Sequence, residues 1–496
     1  MTQAGTVRDG VRHTRVLVIG AGFAGLGMAI GLTRAGHDDF IVLEKGEDVG
    51  GTWRENTYPG CECDVPSALY SYSFEQQAWS GLRASQPEIL RYLRRVSAKY
   101  RVRDKIEFGA EVERGHWDDV DGRWHLFTTG GHEFVAQFLV VGTGALHLPK
   151  VPTIPGAASF EGAAFHSARW DHAVDLAGKR VAVIGTGASA VQLVPELAAM
   201  AHSVQLYQRT PPWVLPRRDS LPGWRQAARL PPVRLIARTL TYWAFELRAL
   251  GLNGRTALTR RLERRAMRHL RRQIQDPALR EALTPTYRIG CKRILRSNEY
   301  YPVLNSPTTE VITERVAEIG PDVIVAADGT RREADVIVYA TGFRVAGSLA
   351  RLPLVGRDGV SLQERWQRDG IAAHLGISVS GLPNAFFLTG PNTGLGHNSV
   401  VFMIEAQVRY ALRAMELVDR EAATALEVRP DVQDAFRRDL HARLAGGVWS
   451  TGGCRSWYVD ARGVNNSVWP GFSWQYWLRT RRVNRGDHEV LTHAAG

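Results

Sequence analysis

Cysteine is scarce in this 496-residue sequence. Only Cys61, Cys63, Cys291 and Cys454 occur. That density excludes a disulfide-stapled scaffold, and the expected setting is a reducing cytoplasm. A redox dithiol needs two or four residues between its sulfurs. Cys61-Glu62-Cys63 leaves one, which argues against a flavoprotein disulfide reductase. Long apolar runs are also missing. None approaches the roughly eighteen residues that cross a bilayer. The N-terminal stretch MTQAGTVRDGVRHTR is polar and basic, without the apolar centre of a secretory signal, and residues 1–13 read as a disordered lead-in. No metal-ligand spacing and no nucleic-acid motif is present.

What remains is size, apolar content and positive charge. A chain this long exceeds one ordinary core and predicts two or three domains. With 44% hydrophobic and 23% charged residues it is expected to be globular. The net charge of +12 suits a nucleic acid or an anionic membrane. It suits equally an arginine-rich chain that binds anionic cofactors. The second reading is preferred, because much of the excess sits in one insert.

Two dinucleotide-binding patterns organise the chain. Arg15–Gly20 (RVLVIG) reads as a buried strand that runs into Gly20-Ala-Gly22-Phe-Ala-Gly25 and then a helix. Gly20 permits the tight turn, Gly22 lets backbone approach a pyrophosphate, and Gly25 lets helix pack on strand. The helix N-terminus attracts the phosphate charge. Glu44 ends the next strand, nineteen positions after Gly25, where a carboxylate accepts from ribose hydroxyls. The pattern repeats at Arg180–Gly185, then Gly185-Thr-Gly187-Ala-Ser189-Ala190. Nineteen positions after Ala190 stand Arg209 and Thr210 in place of an acid. An acid would repel a 2′-phosphate, whereas arginine pairs with it. The first site therefore reads as FAD and the second as NADPH, in an α/β chain with two Rossmann-like domains.

With these motifs in place, two further stretches carry a family likeness. Phe160–Asp171 fits F-x-G-x-x-x-H-x-x-x-W-[PD] through Phe160, Gly162, His166, Trp170 and Asp171. Gly51–Asp64 fits G-x-W-x-x-x-x-[FY]-P-[GM]-x-x-x-D through Gly51, Trp53, Tyr58, Pro59, Gly60 and Asp64. The chain resembles the type I Baeyer–Villiger monooxygenases, and most closely the branch typified by 4-hydroxyacetophenone monooxygenase. The resemblance implies a small-molecule ketone and O₂ as substrates. It gives His166 and Trp170 a part in coupling NADPH binding to domain motion, and sets Trp53 and Asp64 at the flavin. For His166, a core histidine satisfied by hydrogen bonds is the alternative.

The implied chemistry needs a cation beside a deprotonated flavin peroxide, to stabilise the anion and then the adduct on the ketone. In Gly290–Tyr301 the resemblance assigns that cation to Arg293, with Arg296 as rival and Lys292 on the NADPH 2′-phosphate. Asp64 would orient Arg293. Arginine suits the role because it stays charged and presents a planar fork. Trp457, with Trp469 as competitor, is expected at the nicotinamide. Asn392, with His397 and Asn398 nearby, is expected at the flavin edge. The other readings weighed are an N- or S-oxygenase of the same fold and, from another class, a nucleic-acid or membrane binder.

The expected order is FAD domain (14–145 and 332–496) and NADPH domain (146–331), with a helical insert over 211–285. In the insert, Ile236, Leu240, Trp243, Leu247 and Leu250 share one face, and Arg234, Arg238 and Arg248 the other. The apolar face is expected to pack on the protein as a lid, with peripheral membrane contact as the alternative. The chain is expected to act as a monomer or weak dimer, without nucleic acid.

Overall fold

Strand β2 (Val11–Ile19) shows how the first sheet is built. Its Val16 and Val18 enter one hydrophobic cluster, while Leu17 and Ile19 enter another on the opposite face. Alternate side chains leave a strand on opposite sides, so an unbroken apolar run fits a sheet covered on both faces. The computed structural model describes residues 6–492, apart from 9, 218–222, 255, 346–351, 455 and 461.

Among the described residues the first sheet has nine strands. β2 pairs in parallel with β3 (Phe40–Glu44) and β7 (Glu133–Val141), and β3 pairs with β4 (Ile106–Phe108). Antiparallel β5 (Val112–Asp118) and β6 (Arg123–Thr128) extend it beyond β7. Helix α1 (Phe23–Arg34) follows β2 and packs against the long helix Val400–Arg420. The later chain thus returns to this unit, where strand Ala385–Phe387 also pairs with β7. The N-terminus departs from expectation. Strand β1 (Thr6–Arg8) pairs antiparallel with Val11–His13, so these residues are paired strands rather than a disordered lead-in. Residues 1–5 lie outside those described.

The second sheet is wholly parallel, in the order Thr309–Ile312, β10 (Ser203–Tyr207), β9 (Arg180–Ile184), Val336–Tyr339, β8 (Ala163–His166). This corrects the domain boundary expected at 331/332. Val336–Tyr339 sits inside this sheet between β9 and β8, so the second unit runs on to about residue 340. Both glycine motifs lie at the carboxyl ends of their strands, where open parallel sheets bind ligands.

The units interlock at the second signature. The Tyr58 hydroxyl donates to Gln192 Oε1 at 2.8 Å, and Gln192 Nε2 donates to the Glu62 carbonyl at 3.0 Å. Gly60 has φ +76°, and a Cβ there would stand 2.7 Å from the Gln192 carbonyl oxygen. Only glycine allows this approach between the units.

The insert consists mainly of helices Pro231–Leu252, Thr256–Gln273 and Pro277–Ala282. The first is turned opposite to expectation. Leu235, Ile236, Leu240, Trp243 and Leu247 face solvent, 52–67% exposed. On the inner side, Arg238 donates to the carbonyls of Ala68 and Ser71.

One covalent tie joins distant segments. Cys291 and Cys454 form a disulfide, whereas Cys61 and Cys63 are buried and free. A low cysteine count argues against a disulfide framework, but it does not exclude a single tie.

Candidate active site

Each glycine turn can be tested as a phosphate cradle. A Cβ on Gly25 would stand 1.7 Å from the Gly20 carbonyl oxygen, so α1 can seat on β2 only through glycine. Gly22 and Gly51 face each other, and a Cβ on Gly22 would lie 3.6 Å from the Gly51 Cα. Gly22 caps α1 with no side-chain hydrogen bond, which leaves first-turn N–H groups for an anion. These features fit a dinucleotide pyrophosphate.

Glu44 is buried, and its carboxylate is already engaged. Ala21 N–H donates to it at 2.7 Å, Gly46 N–H at 2.8 Å and Arg54 Nη1 at 2.9 Å. It braces the phosphate turn; a carboxylate has about four acceptor sites, so one remains that a ribose hydroxyl could reach. Beside it opens a cleft of about 450 Å³, lined by Lys45, Gly46, Arg54, Glu55, Arg169 and Trp170 among others, which gives room for the nucleoside end. Arg293 and Asp64 do not line this cleft.

The second cradle is built alike. Gly185 has φ +114°, and a Cβ there would meet the Ala340 carbonyl oxygen at 2.5 Å; a Cβ on Gly187 would meet nothing within 4 Å. Helix Ala188–Met200 starts at Gly187 without a side-chain cap. Ser189 lies in its first turn. The Thr210 carbonyl accepts from Thr186 Oγ1 at 2.8 Å. Arg209 and Lys292 come together here from distant segments. Burial and the Arg209 charge hold Lys292 below the usual lysine range. Two neighbouring cations, one of them following the strand after the second glycine motif, fit a 2′-phosphate.

Between the units, Arg293 forms a fork on Asp64. Nε donates to Oδ2 at 2.6 Å and Nη2 to Oδ1 at 2.8 Å. Nη1 donates to the Leu395 carbonyl at 3.0 Å. The two side chains remain 29% and 31% exposed, so the pair lines a surface that a ligand can reach. Burial opposes both charges and each partner's charge outweighs it, so Asp64 lies below and Arg293 above the ordinary range. Arg296, the rival cation, sits on a separate short strand and donates to the Pro216 carbonyl at 3.4 Å.

Trp53 is buried near this pair. Its indole N–H donates to the Tyr70 hydroxyl at 3.1 Å, and the rings meet edge to face at 5.5 Å. Cys61 and Cys63 stay protonated, because burial pushes Cys61 to about 12 and Cys63 well above the usual thiol range. Neither serves as a redox thiolate.

The remaining candidates lie in the C-terminal half. Trp457 is 44% exposed, whereas its neighbour Tyr458 is 4% exposed and lies close enough to Arg293 to feel its charge. The pattern SWY marked an aromatic pair, but not which ring turns inward. Trp469, the competitor, is core, packed on Tyr476 with its N–H on the Phe472 carbonyl. The amide of Asn392 donates to the Asn465 and Val468 carbonyls, so it struts the loop that carries Leu395 rather than presenting donors to a flavin. His397 and Asn398 spend theirs on buried Glu246, at 3.2 and 2.6 Å.

His166 is buried. Its Nδ1 accepts from the Ala168 N–H at 3.1 Å, so Nε2 carries the hydrogen and donates to the Gly342 carbonyl at 3.0 Å. Its hydrogen bonds are satisfied, as in the core alternative, yet they join β8 to the segment after Val336–Tyr339. Trp170 packs on Phe165 at 5.0 Å and lines the cleft beside Glu44.

Comparison with known proteins agrees with this arrangement. Residues 17–221 match the family described as pyridine nucleotide-disulphide oxidoreductase. A Baeyer–Villiger monooxygenase of Pseudomonas aeruginosa is 45% identical over 486 residues, 97% of this chain and 92% of that protein. One of Streptomyces coelicolor is 44% identical over 489 residues, 97% of this chain and 93% of that protein. A solved structure of an oxidized steroid monooxygenase bound to NADP superposes with a TM-score of 0.85 at 29% identity, covering 97% of this chain and 100% of that one. The chain belongs to the Baeyer–Villiger monooxygenases.

Proposed function

We propose that the enzyme inserts one atom of O₂ into a ketone to give an ester or lactone, using bound FAD and consuming NADPH. As a family member it is an NADPH-dependent flavin monooxygenase. The observation that carries the ketone reading is the Asp64–Arg293 fork.

Bound flavin, reduced by the nicotinamide, supplies the oxygen-transferring chemistry. The residues of the chain supply position and charge. Asp64 fixes the plane of the guanidinium and raises its hold on its protons, so Arg293 stays a cation while a negative charge develops on the ketone oxygen. Leu395, held through the Asn392 strut, engages Nη1 and leaves the remaining N–H directions for ligand. Tyr458 stays protonated, because burial raises its hydroxyl and the Arg293 charge only partly reverses this. Arg209 and Lys292 select the 2′-phosphate, and the Gly22–Gly51 channel seats the flavin pyrophosphate.

The test is NADPH oxidation with a panel of cyclic, linear, aryl and steroid ketones and a sulfide, followed by mass detection of product. The expected result is a gain of one oxygen atom by at least one ketone. Turnover confined to the sulfide would replace this reading with heteroatom oxidation.

A further inference from the structure

Helix Pro231–Leu252 is amphipathic with its apolar side outward. Leu235, Ile236, Leu240, Trp243 and Leu247 fall on one stripe and are 52–67% exposed. The opposite side is clamped by polar bonds. Arg238 donates to the Ala68 carbonyl at 2.6 Å. Buried Glu246 accepts from the Ser473 N–H at 2.9 Å, the Ser473 hydroxyl at 2.7 Å and Asn398, and it pairs with His397. Rolling the helix to bury the stripe would break this network and bring a carboxylate towards solvent in its place. The outward stripe is therefore set by the fold.

The surroundings of the stripe are cationic. Residues 220–275 contain thirteen arginines, two glutamates and no lysine or aspartate. Both glutamates are engaged, Glu246 as above and Glu263 with Arg288 at 3.3 Å. Helix Thr256–Gln273 packs against the first and exposes Arg260, Arg261, Arg264, Arg268, Arg271 and Arg272. Among the described residues no helix is long and apolar enough to cross a membrane.

We infer that the insert docks the enzyme onto an anionic lipid surface, with the Leu235–Leu247 stripe in the acyl boundary and the arginines on lipid phosphates. An apolar face beside a cationic one is the chemistry of helices that lie in the membrane plane. A second copy of the chain is the poorer occupant, because it would set one arginine-rich insert near another. Docking would hold the active site where apolar ketones partition. That consequence rests on the proposed function, but the docking does not.

The test uses the full-length flavin-loaded protein and sedimentation with vesicles of phosphatidylglycerol and phosphatidylcholine, or of phosphatidylcholine alone. Binding is expected to the anionic vesicles only and to weaken with salt. The exposed pairs Leu240→Ser/Trp243→Ser and Arg264→Ser/Arg268→Ser should each weaken it roughly tenfold or more. Both variants should keep NADPH-dependent turnover of a water-soluble ketone in vesicle-free buffer. Absence of anionic-vesicle binding overturns the inference, as does full binding by the apolar variant. So does a wild-type dimer, seen by sedimentation velocity, that the apolar variant dissociates while vesicles bind neither protein. Loss of ketone turnover in all three proteins would sink the proposed function and leave the vesicle result readable.

Discussion

Arg293 grips Asp64 through two parallel hydrogen bonds, at 2.6 and 2.8 Å, across 229 positions of sequence. A guanidinium fork matched to a carboxylate fixes a plane as well as a charge. Arg293→Ala is expected to lower ester formation by roughly 10²–10³, the usual cost of removing a preorganised charge stabiliser. NADPH oxidation without product should persist. Asp64→Asn should spare the charge but lose the alignment, with a smaller loss. Product analysis beside NADPH consumption separates the two. A normal ester yield from Arg293→Ala removes that residue from the mechanism.

Tyr458 is buried beside the Arg293 charge, and Trp457 is 44% exposed. Tyr458→Phe is expected to reduce kcat for ketone oxygenation roughly tenfold or more with little change in flavin content. Trp457→Phe should be nearly silent. The reverse ranking, measured under saturating NADPH, would restore Trp457 to the site.

Lys292 and Arg209 predict a pH effect. Burial and the neighbouring Arg209 charge hold Lys292 below the usual lysine range, so it loses its proton at a lower pH than an exposed lysine does. The attraction for a 2′-phosphate is present below that pH and fades as pH rises through it. KM for NADPH should therefore rise on the alkaline side while KM for NADH stays flat. Lys292→Arg should remove the rise, and Arg209→Ala should raise KM for NADPH far more than for NADH. Parallel profiles for both cofactors would count against a 2′-phosphate contact.

The Cys291–Cys454 disulfide ties the loop that carries Lys292 and Arg293 to the segment that carries Tyr458. It closes a loop of 163 residues. Loss of such a tie typically costs about 2–5 kcal/mol. Cys454→Ser should lower the thermal midpoint in non-reducing buffer, and dithiothreitol should bring the wild type down to the same value. A midpoint indifferent to both would mean that the bond does not support the fold.

The sequence made legible what depends on near neighbours. The turns at Gly20–Gly25 and Gly185–Ala190 are local, because a tight turn, a close approach and a helix start all fall within six residues. Arg209 was readable because its strand follows the second motif at fixed spacing. The Asp64–Arg293 pair came only through resemblance, since nothing local in either residue announces the other. Orientation was not readable. Helical periodicity set Ile236, Leu240, Trp243 and Leu247 on one face, but the side that turns inward was decided by Glu246, whose partners His397, Asn398 and Ser473 lie 151 to 227 positions away. The partners of Asn392 were out of reach for a similar reason, as its amide donates to the carbonyls of Asn465 and Val468. The strand Val336–Tyr339 looked like a return to the first sheet, and only its pairing with β9 and β8 places it in the second.

The most direct measurement is turnover under ¹⁸O₂ with the best ketone from the panel. One labelled atom should enter each ester molecule, one NADPH should be consumed per ester, and Arg293→Ala should lose the labelled product while still oxidising NADPH. Flavin-loaded enzyme that consumes NADPH and releases only labelled peroxide or water, whatever the acceptor, would contradict the account.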